Sequence, residues 1–274
     1  LSLHDALPIL TATISLLAAC GGEEAGGSES ESKEITIGAT AGPYSDMVTK
    51  ALKPGLEEKG YTVEVREFSD YIQPNNALAQ GDLDANLFQH KIYMETFAEQ
   101  NGLELSEVIS VPTAPMGIYS NKFGSIDAIE DGSTIAIPND PTNAARAFQI
   151  LQDAGLITLN PDSDPLTVSE KDVEENVKNL KFQPIEAAQL PRAVDSTDLS
   201  AVPGNFALAA KMDLLDALQL ENMPDQYRNR VVMNTKDIDS QLAQDIQEVV
   251  ESDEFEAIID KEFKGFGKPE WMEQ

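Results

Sequence analysis

Thr134-Ile135-Ala136-Ile137-Pro138-Asn139-Asp140-Pro141-Thr142-Asn143-Ala144-Ala145-Arg146 reads as a short β-type strand, a polar turn and the start of a helix that runs to about Ala154 and closes on Gly155. The same rhythm precedes it: strand Ile35–Gly38, helix Ser45–Lys59, strand Tyr61–Val65, helix Pro74–Gln80, strand Leu83–Phe88 and helix Tyr93–Gln100. Between the two series lies Val108–Ser120, a long extended run carrying Pro112 and Pro115, which reads as one prolonged strand crossing between lobes. After Thr134 the rhythm restarts, with strands at Leu180–Pro184, Leu199–Val202 and Arg230–Asn234, a helix at Phe206–Leu218 and an amphipathic helical region at Ser240–Lys264. Strands and helices that alternate, stop and restart predict an α/β fold of two lobes. The expected division is 34–115 with 226–274 as lobe 1 and 116–225 as lobe 2, the last helical region returning to lobe 1.

The 274 residues, 41% of them hydrophobic, suffice for a sizeable core. Against 19 basic side chains stand 48 acidic ones, a formal charge of −29 that repels phosphate backbones and anionic lipid surfaces, so nucleic acid is excluded as a partner. The acidity reads as a solvated surface. With one cysteine, Cys20, neither an intramolecular disulfide nor a cysteine-rich zinc site can form.

The apolar run Ile9–Ala19 is too short to span a membrane and ends in Leu17-Ala18-Ala19-Cys20-Gly21-Gly22, which resembles a bacterial lipobox. That resemblance implies a signal peptide over 1–20, cleavage before Cys20 and a lipid on its sulfur. Leu1–Ile9 carries Asp5 and no Lys or Arg, unlike a signal n-region, and is read as a truncation or assembly artefact; His4 is left out of any functional set. Residues 21–33, rich in Gly, Ser and Glu, cannot bury enough apolar surface to fold and read as a flexible tether.

Four clusters at strand ends carry side chains suited to a ligand, where open α/β sheets bind them. In Phe68-Ser69-Asp70-Tyr71-Ile72-Gln73-Pro74-Asn75-Asn76-Ala77-Leu78 the aromatics Phe68 and Tyr71 either wall a site or cap the core. Asn86-Leu87-Phe88-Gln89-His90-Lys91-Ile92-Tyr93 offers a second aromatic group, and its His90 is a ligand contact, a metal ligand or a core histidine. A metal would need partners, and no HxH, HxxxH or cysteine cluster supplies them, so no metal or cofactor is expected. At the start of the helix after Pro138, free N–H groups and Arg146 form an anion site, or Asp140 and Thr142 simply cap the helix. In Ala201-Val202-Pro203-Gly204-Asn205-Phe206-Ala207, Asn205 either offers its amide to a ligand or caps the helix.

FSDYIQPNNAL, GDLDANLFQHKIYM, IPNDPTNAAR, EAAQLPRAV and VPGNFALAA, in this order and over nearly all of the chain from Ile35 onward, resemble the NlpA-type family of methionine-binding lipoproteins. The resemblance implies a two-lobed, periplasmic-binding-protein-like fold with a hinged cleft. In that cleft Phe68, Tyr71, Phe88, His90 and Tyr93 would surround a thioether side chain, Arg146 would hold the carboxylate, and Asn143 would help fix the zwitterion, with Gly204 and Asn205 left to substitute for a head-group contact that Pro203 lacks. One position departs from the family pattern: many members carry a head-group asparagine where this chain has Pro203, which offers no donor.

The function so implied is capture of L-methionine outside the cytoplasm by a membrane-anchored monomer and its delivery to an ABC importer permease and, through it, the ATPase. Pro203 keeps open a methionine-containing dipeptide or another apolar amino acid as the solute. An anchored hydrolase or an adhesin is the rival class; no GxSxG elbow, HExxH pair or unlipidated cysteine supports an enzyme.

Overall fold

The computed structural model describes Lys33 to Glu273. Cys20, the signal segment and nearly all of the tether lie outside the described residues. The chain runs β1 (Lys33–Thr40), α1 (Pro43–Met47), a π-helical turn (Val48–Leu52), α2 (Lys53–Glu58), β2 (Tyr61–Phe68), α3 (Gln73–Gln80), β3 (Ala85–His90), α4 (Lys91–Asn101) and β4 (Leu105–Val111). It continues through β5 (Gly117–Tyr119), β6 (Thr134–Pro138), α5 (Pro141–Asp153), β7 (Ile157–Leu159), β8 (Val173–Asn176), β9 (Lys181–Ile185), α6 (Leu190–Ala193), β10 (Leu199–Val202) and α7 (Gly204–Ala209). β11 (Gln219–Leu220), β12 (Asn229–Asn234), α8 (Gln241–Val250) and α9 (Asp253–Glu262) complete it.

Two five-stranded sheets result, ordered β2-β1-β3-β12-β4 and β11-β5-β10-β6-β9. In the first, β1 pairs parallel with β2 and β3, and β12 runs antiparallel to β3 and β4. In the second, β6 pairs parallel with β9 and β10, and β5 runs antiparallel to β10 and β11. Each sheet buries both faces, so its strands send alternate residues into different cores. Ile35, Ile37 and Ala39 of β1 join Val231 and Met233 of β12 under the helices around Met47, Leu56, Ile246 and Phe255. Val232, one residue out of phase, enters the opposite core with Leu78, Leu83 and Met94. In the second sheet Ile135 and Ile137 face Phe148 and Leu151 of α5, while Ala136 faces Leu190 and Phe206.

The chain passes between the sheets twice, from β4 to β5 and from β11 to β12. The prolonged strand expected over Val108–Ser120 is two strands. It breaks between Val111 and Gly117, because Pro112 and Pro115 have no N–H for a ladder, and Thr113 there pairs with Gly267 instead. Gly204 packs against this crossing so closely that an added Cβ would collide with the Pro115 carbonyl oxygen. Two expected helices also divide. The one at Phe206–Leu218 stops at Ala209, where Lys211 turns left-handed at φ 62° and Met212 N–H closes onto the Ala207 carbonyl at 2.9 Å. The one at Ser240–Lys264 breaks at Glu251, and Ser252 starts α9 by accepting the Phe255 N–H. Among the described residues no helix is long and apolar enough to cross a membrane.

Candidate functional site

The carboxyl ends of the parallel strands converge on one narrow cavity with about 10 Å³ of free space, lined from the first sheet's side by Tyr44, Tyr71, Phe88, His90, Tyr93 and Asn229 and from the second's by Asn143, Arg146, Pro203 and Asn205. Tyr71 lies in the turn after β2, where Asp70 accepts the Ile72 and Gln73 N–H groups at 2.8 Å and so fixes the turn. The Tyr71 ring centroid is 5.8 Å from those of Phe88 and Tyr93 and 4.9 Å from that of Phe206. The Tyr93 hydroxyl donates to the Tyr71 carbonyl at 3.0 Å, which holds the aromatic wall together. Behind the wall, Asn75 and Gln89 exchange amide hydrogen bonds at 2.7 and 2.6 Å, and Asn86 donates to Asn75 at 3.0 Å, a buried network that anchors α3 to the end of β3.

His90 ends β3 and caps α4: its Nδ1 accepts the Tyr93 N–H at 3.1 Å. A ring nitrogen that accepts carries no proton, so the neutral imidazole has its proton on Nε2 and donates it to Asn143 Oδ1 at 3.3 Å. Burial pushes the His90 pKa well below the ordinary histidine range, and the Arg146 guanidinium acts in the same direction. The ring is therefore neutral at pH 7.

Asp140 caps α5 by accepting the Asn143 N–H at 2.9 Å, and its two oxygens also take the Asn143 side-chain amide at 3.1 Å. Asn143 Oδ1 is thereby turned toward His90 and toward Arg146 Nη1, which donates to it at 2.9 Å. Asp140 thus caps the helix, and Arg146, one turn on, lines the cavity. Arg146 does not offer its whole fork. Nε and Nη2 donate side-on to Glu221 at 2.7 and 2.6 Å, with both side chains 5% exposed. Three of the five guanidinium N–H groups are engaged by these bonds and the Asn143 contact, which leaves two. Burial opposes the Arg146 charge, and Glu221 more than offsets that, so its pKa is raised.

Asn205 is buried in the first turn of α7 and caps nothing; its Oδ1 accepts the Tyr71 hydroxyl at 2.6 Å. Its Nδ2 has no hydrogen-bond partner among the described residues, although an unpaired buried donor is costly. Phe68 lies apart from this group. As the last residue of β2 it points into the core of Leu78, Leu83 and Met94, with the Arg66 guanidinium 5.2 Å over its ring. The other seven site residues expected within the fold line one cavity.

Several residues beyond that set complete the site. Tyr44 accepts the Ala114 N–H at 3.3 Å, Asn229 donates to the Phe88 carbonyl at 2.9 Å, and Arg146 lies 5.3 Å over the Tyr227 ring. Glu221 is the partner a buried arginine requires. That requirement is legible in the sequence, but nothing distinguishes Glu221 among the 48 acidic residues.

The NlpA lipoprotein family model matches residues 35–271. The D-methionine-binding lipoprotein MetQ of Escherichia coli K12 is 35% identical over 249 residues, 90% of this chain and 92% of that one. The methionine-binding lipoprotein MetQ of Bacillus subtilis is 33% identical over 255 residues, 91% and 92% of the two chains. Among solved structures, a nutrient binding protein from Burkholderia cenocepacia bound to methionine superposes with a TM-score of 0.80 at 37% identity, covering 84% of this chain and 97% of that one. Its fold is the two-lobed one seen here. With the family model matching residues 35–271 and relatives more than 30% identical over about nine-tenths of the chain, this chain belongs to the NlpA lipoprotein family.

Proposed function

We propose that this chain captures methionine in the cavity between its lobes and hands it to an ABC importer. The observation that carries the reading is the pairing within one cavity of an apolar wall, Tyr71, Phe88 and Tyr93, with unspent buried donors, two on Arg146 and Asn205 Nδ2. An unbranched thioether suits the rings. A carboxylate taken from water needs the donors, because burial without them costs several kcal/mol. The names of the relatives and the methionine-bound neighbour support the same solute.

Binding rather than catalysis is supported by the engagement of the reactive groups: both His90 nitrogens and three Arg146 donors already serve structural bonds. We take lobe 1 as 34–115 with 226–274 and lobe 2 as 116–225, closing on the solute about the two crossings. The Tyr71–Asn205 and His90–Asn143 hydrogen bonds then join the lobes in the closed state. Cys20 is read as the lipid-bearing residue that holds a monomer at the outer side of the cell membrane, in reach of the permease and its ATPase; the lipoprotein names of the relatives support this.

The test is a calorimetric titration of residues 33–274, stripped of bound solute by unfolding and refolding, with L-methionine, D-methionine and glycyl-methionine. Saturable binding of either enantiomer at about 1 μM or tighter, roughly −8 kcal/mol, is the expected result. Because Pro203 lines the cavity without a donor, binding of the dipeptide alone would reassign the solute while keeping the transport role. Binding of none of the three would overturn solute capture as proposed.

A further inference from the structure

We propose that Glu221 is a specificity-determining residue: by neutralising Arg146 it makes the cavity prefer a zwitterionic amino acid over a simple carboxylate anion. This rests on the methionine reading above. Among the described residues that line the cavity, Arg146 alone carries a permanent charge, since His90 is held neutral by burial. Left to itself such a cavity would present one uncompensated positive charge and would select net-anionic ligands.

Glu221 stands behind Arg146 and does not line the cavity, yet its carboxylate accepts three hydrogen bonds: Arg146 Nε and Nη2, and the Met116 N–H at 3.0 Å. Its own N–H donates to the Met116 carbonyl at 2.9 Å. The residue is therefore built into both crossings, one residue past β11 and opposite the last residue before β5. Its charge cannot rotate away. A ligand carboxylate meeting the two remaining Arg146 donors enters a pair that is already neutral, so it gains directed hydrogen bonds but little net attraction for charge. A ligand ammonium, one carbon away from that carboxylate, would be repelled by an uncompensated Arg146; Glu221 cancels that repulsion, and in a medium from which water is excluded a unit charge changes binding by about tenfold or more.

The test compares methionine with 4-(methylthio)butanoate, which keeps the thioether and carboxylate but lacks the ammonium, on residues 33–274 as wild type, E221Q and E221D. The quantity read is the ratio of the two Kd values, from direct titration of methionine and competition by the anion. In E221Q the preference for methionine is expected to fall by at least about tenfold, whatever happens to either affinity alone. E221D keeps the charge on a shorter arm and is expected to hold the wild-type ratio within about twofold even if both ligands weaken. Equal weakening of both ligands in E221Q would reduce Glu221 to a structural support and overturn the proposal. If E221Q does not fold, a collapsed ratio in E221D overturns it and a retained ratio supports it. Failure of the wild type to bind methionine at all is a different result and sinks the solute assignment first, and the proposal with it.

Discussion

Tyr71→Phe removes one oxygen and tests how the cleft is held shut. The Tyr71 hydroxyl donates to Asn205 Oδ1 at 2.6 Å, joining the turn after β2 to the first turn of α7. Its ring packs on Phe88, Tyr93 and Phe206, contacts that phenylalanine retains, and the Tyr93 hydroxyl bonds to the backbone of residue 71, which is unchanged. What is lost is one buried bond, after which Asn205 has neither its acceptor nor its donor satisfied by protein. Removing one partner of a buried hydrogen bond costs about 1–3 kcal/mol. That cost falls only on the closed state, where the two groups meet, so it appears in full in the affinity: methionine Kd is expected to rise about 5- to 150-fold. Isothermal titration of stripped wild-type and Y71F protein measures it directly. A Y71F Kd within twofold of wild type would show that the liganded state does not use this bond and would remove it from the closing mechanism.

The neutral state of His90 predicts a pH effect of definite sign. Its folded pKa lies well below 6.5, so the unfolded chain binds the proton first and stability is lost as pH falls from about 6.5 toward the folded pKa. Melting temperature should decline across that window, and H90Q should lose that component of the decline; an unchanged slope in H90Q would assign it to other groups. Gly204→Ala places a methyl against the Pro115 carbonyl oxygen, and overpacking of this kind costs about 1–3 kcal/mol, to be read as a fall in urea midpoint at constant m. Ser252→Ala removes the cap that starts α9 and should lower stability by about 1 kcal/mol, a shift of roughly 2–4 °C in melting temperature, with methionine affinity unchanged.

The alternation of strand and helix, and its restart at Thr134, were enough for an α/β fold, because side-chain periodicity is a local property that each segment carries by itself. The strand-end clusters were legible for the same reason: Tyr71, His90, Asn143 and Asn205 each follow or end a strand, and in parallel sheets those ends face the cleft. Phe68 and Tyr71 show the limit of that logic. They are three residues apart, but one ends a pleated strand pointing into the core and the other sits in the turn beyond it. The break at Pro112–Pro115 follows from missing N–H groups that the sequence displays, whereas the division of the last helical region depends on where Ser252 finds the Phe255 N–H.

What tertiary structure alone decided was who meets whom across distance. Arg146 and Glu221 are 75 residues apart and Tyr71 and Asn205 are 134 apart. Sequence says that a buried arginine must find an acid and that a buried tyrosine hydroxyl must find an acceptor. Desolvation makes those demands compulsory, but only the folded chain chooses the partners, because the choice depends on which loops the two sheets bring to the same few ångströms.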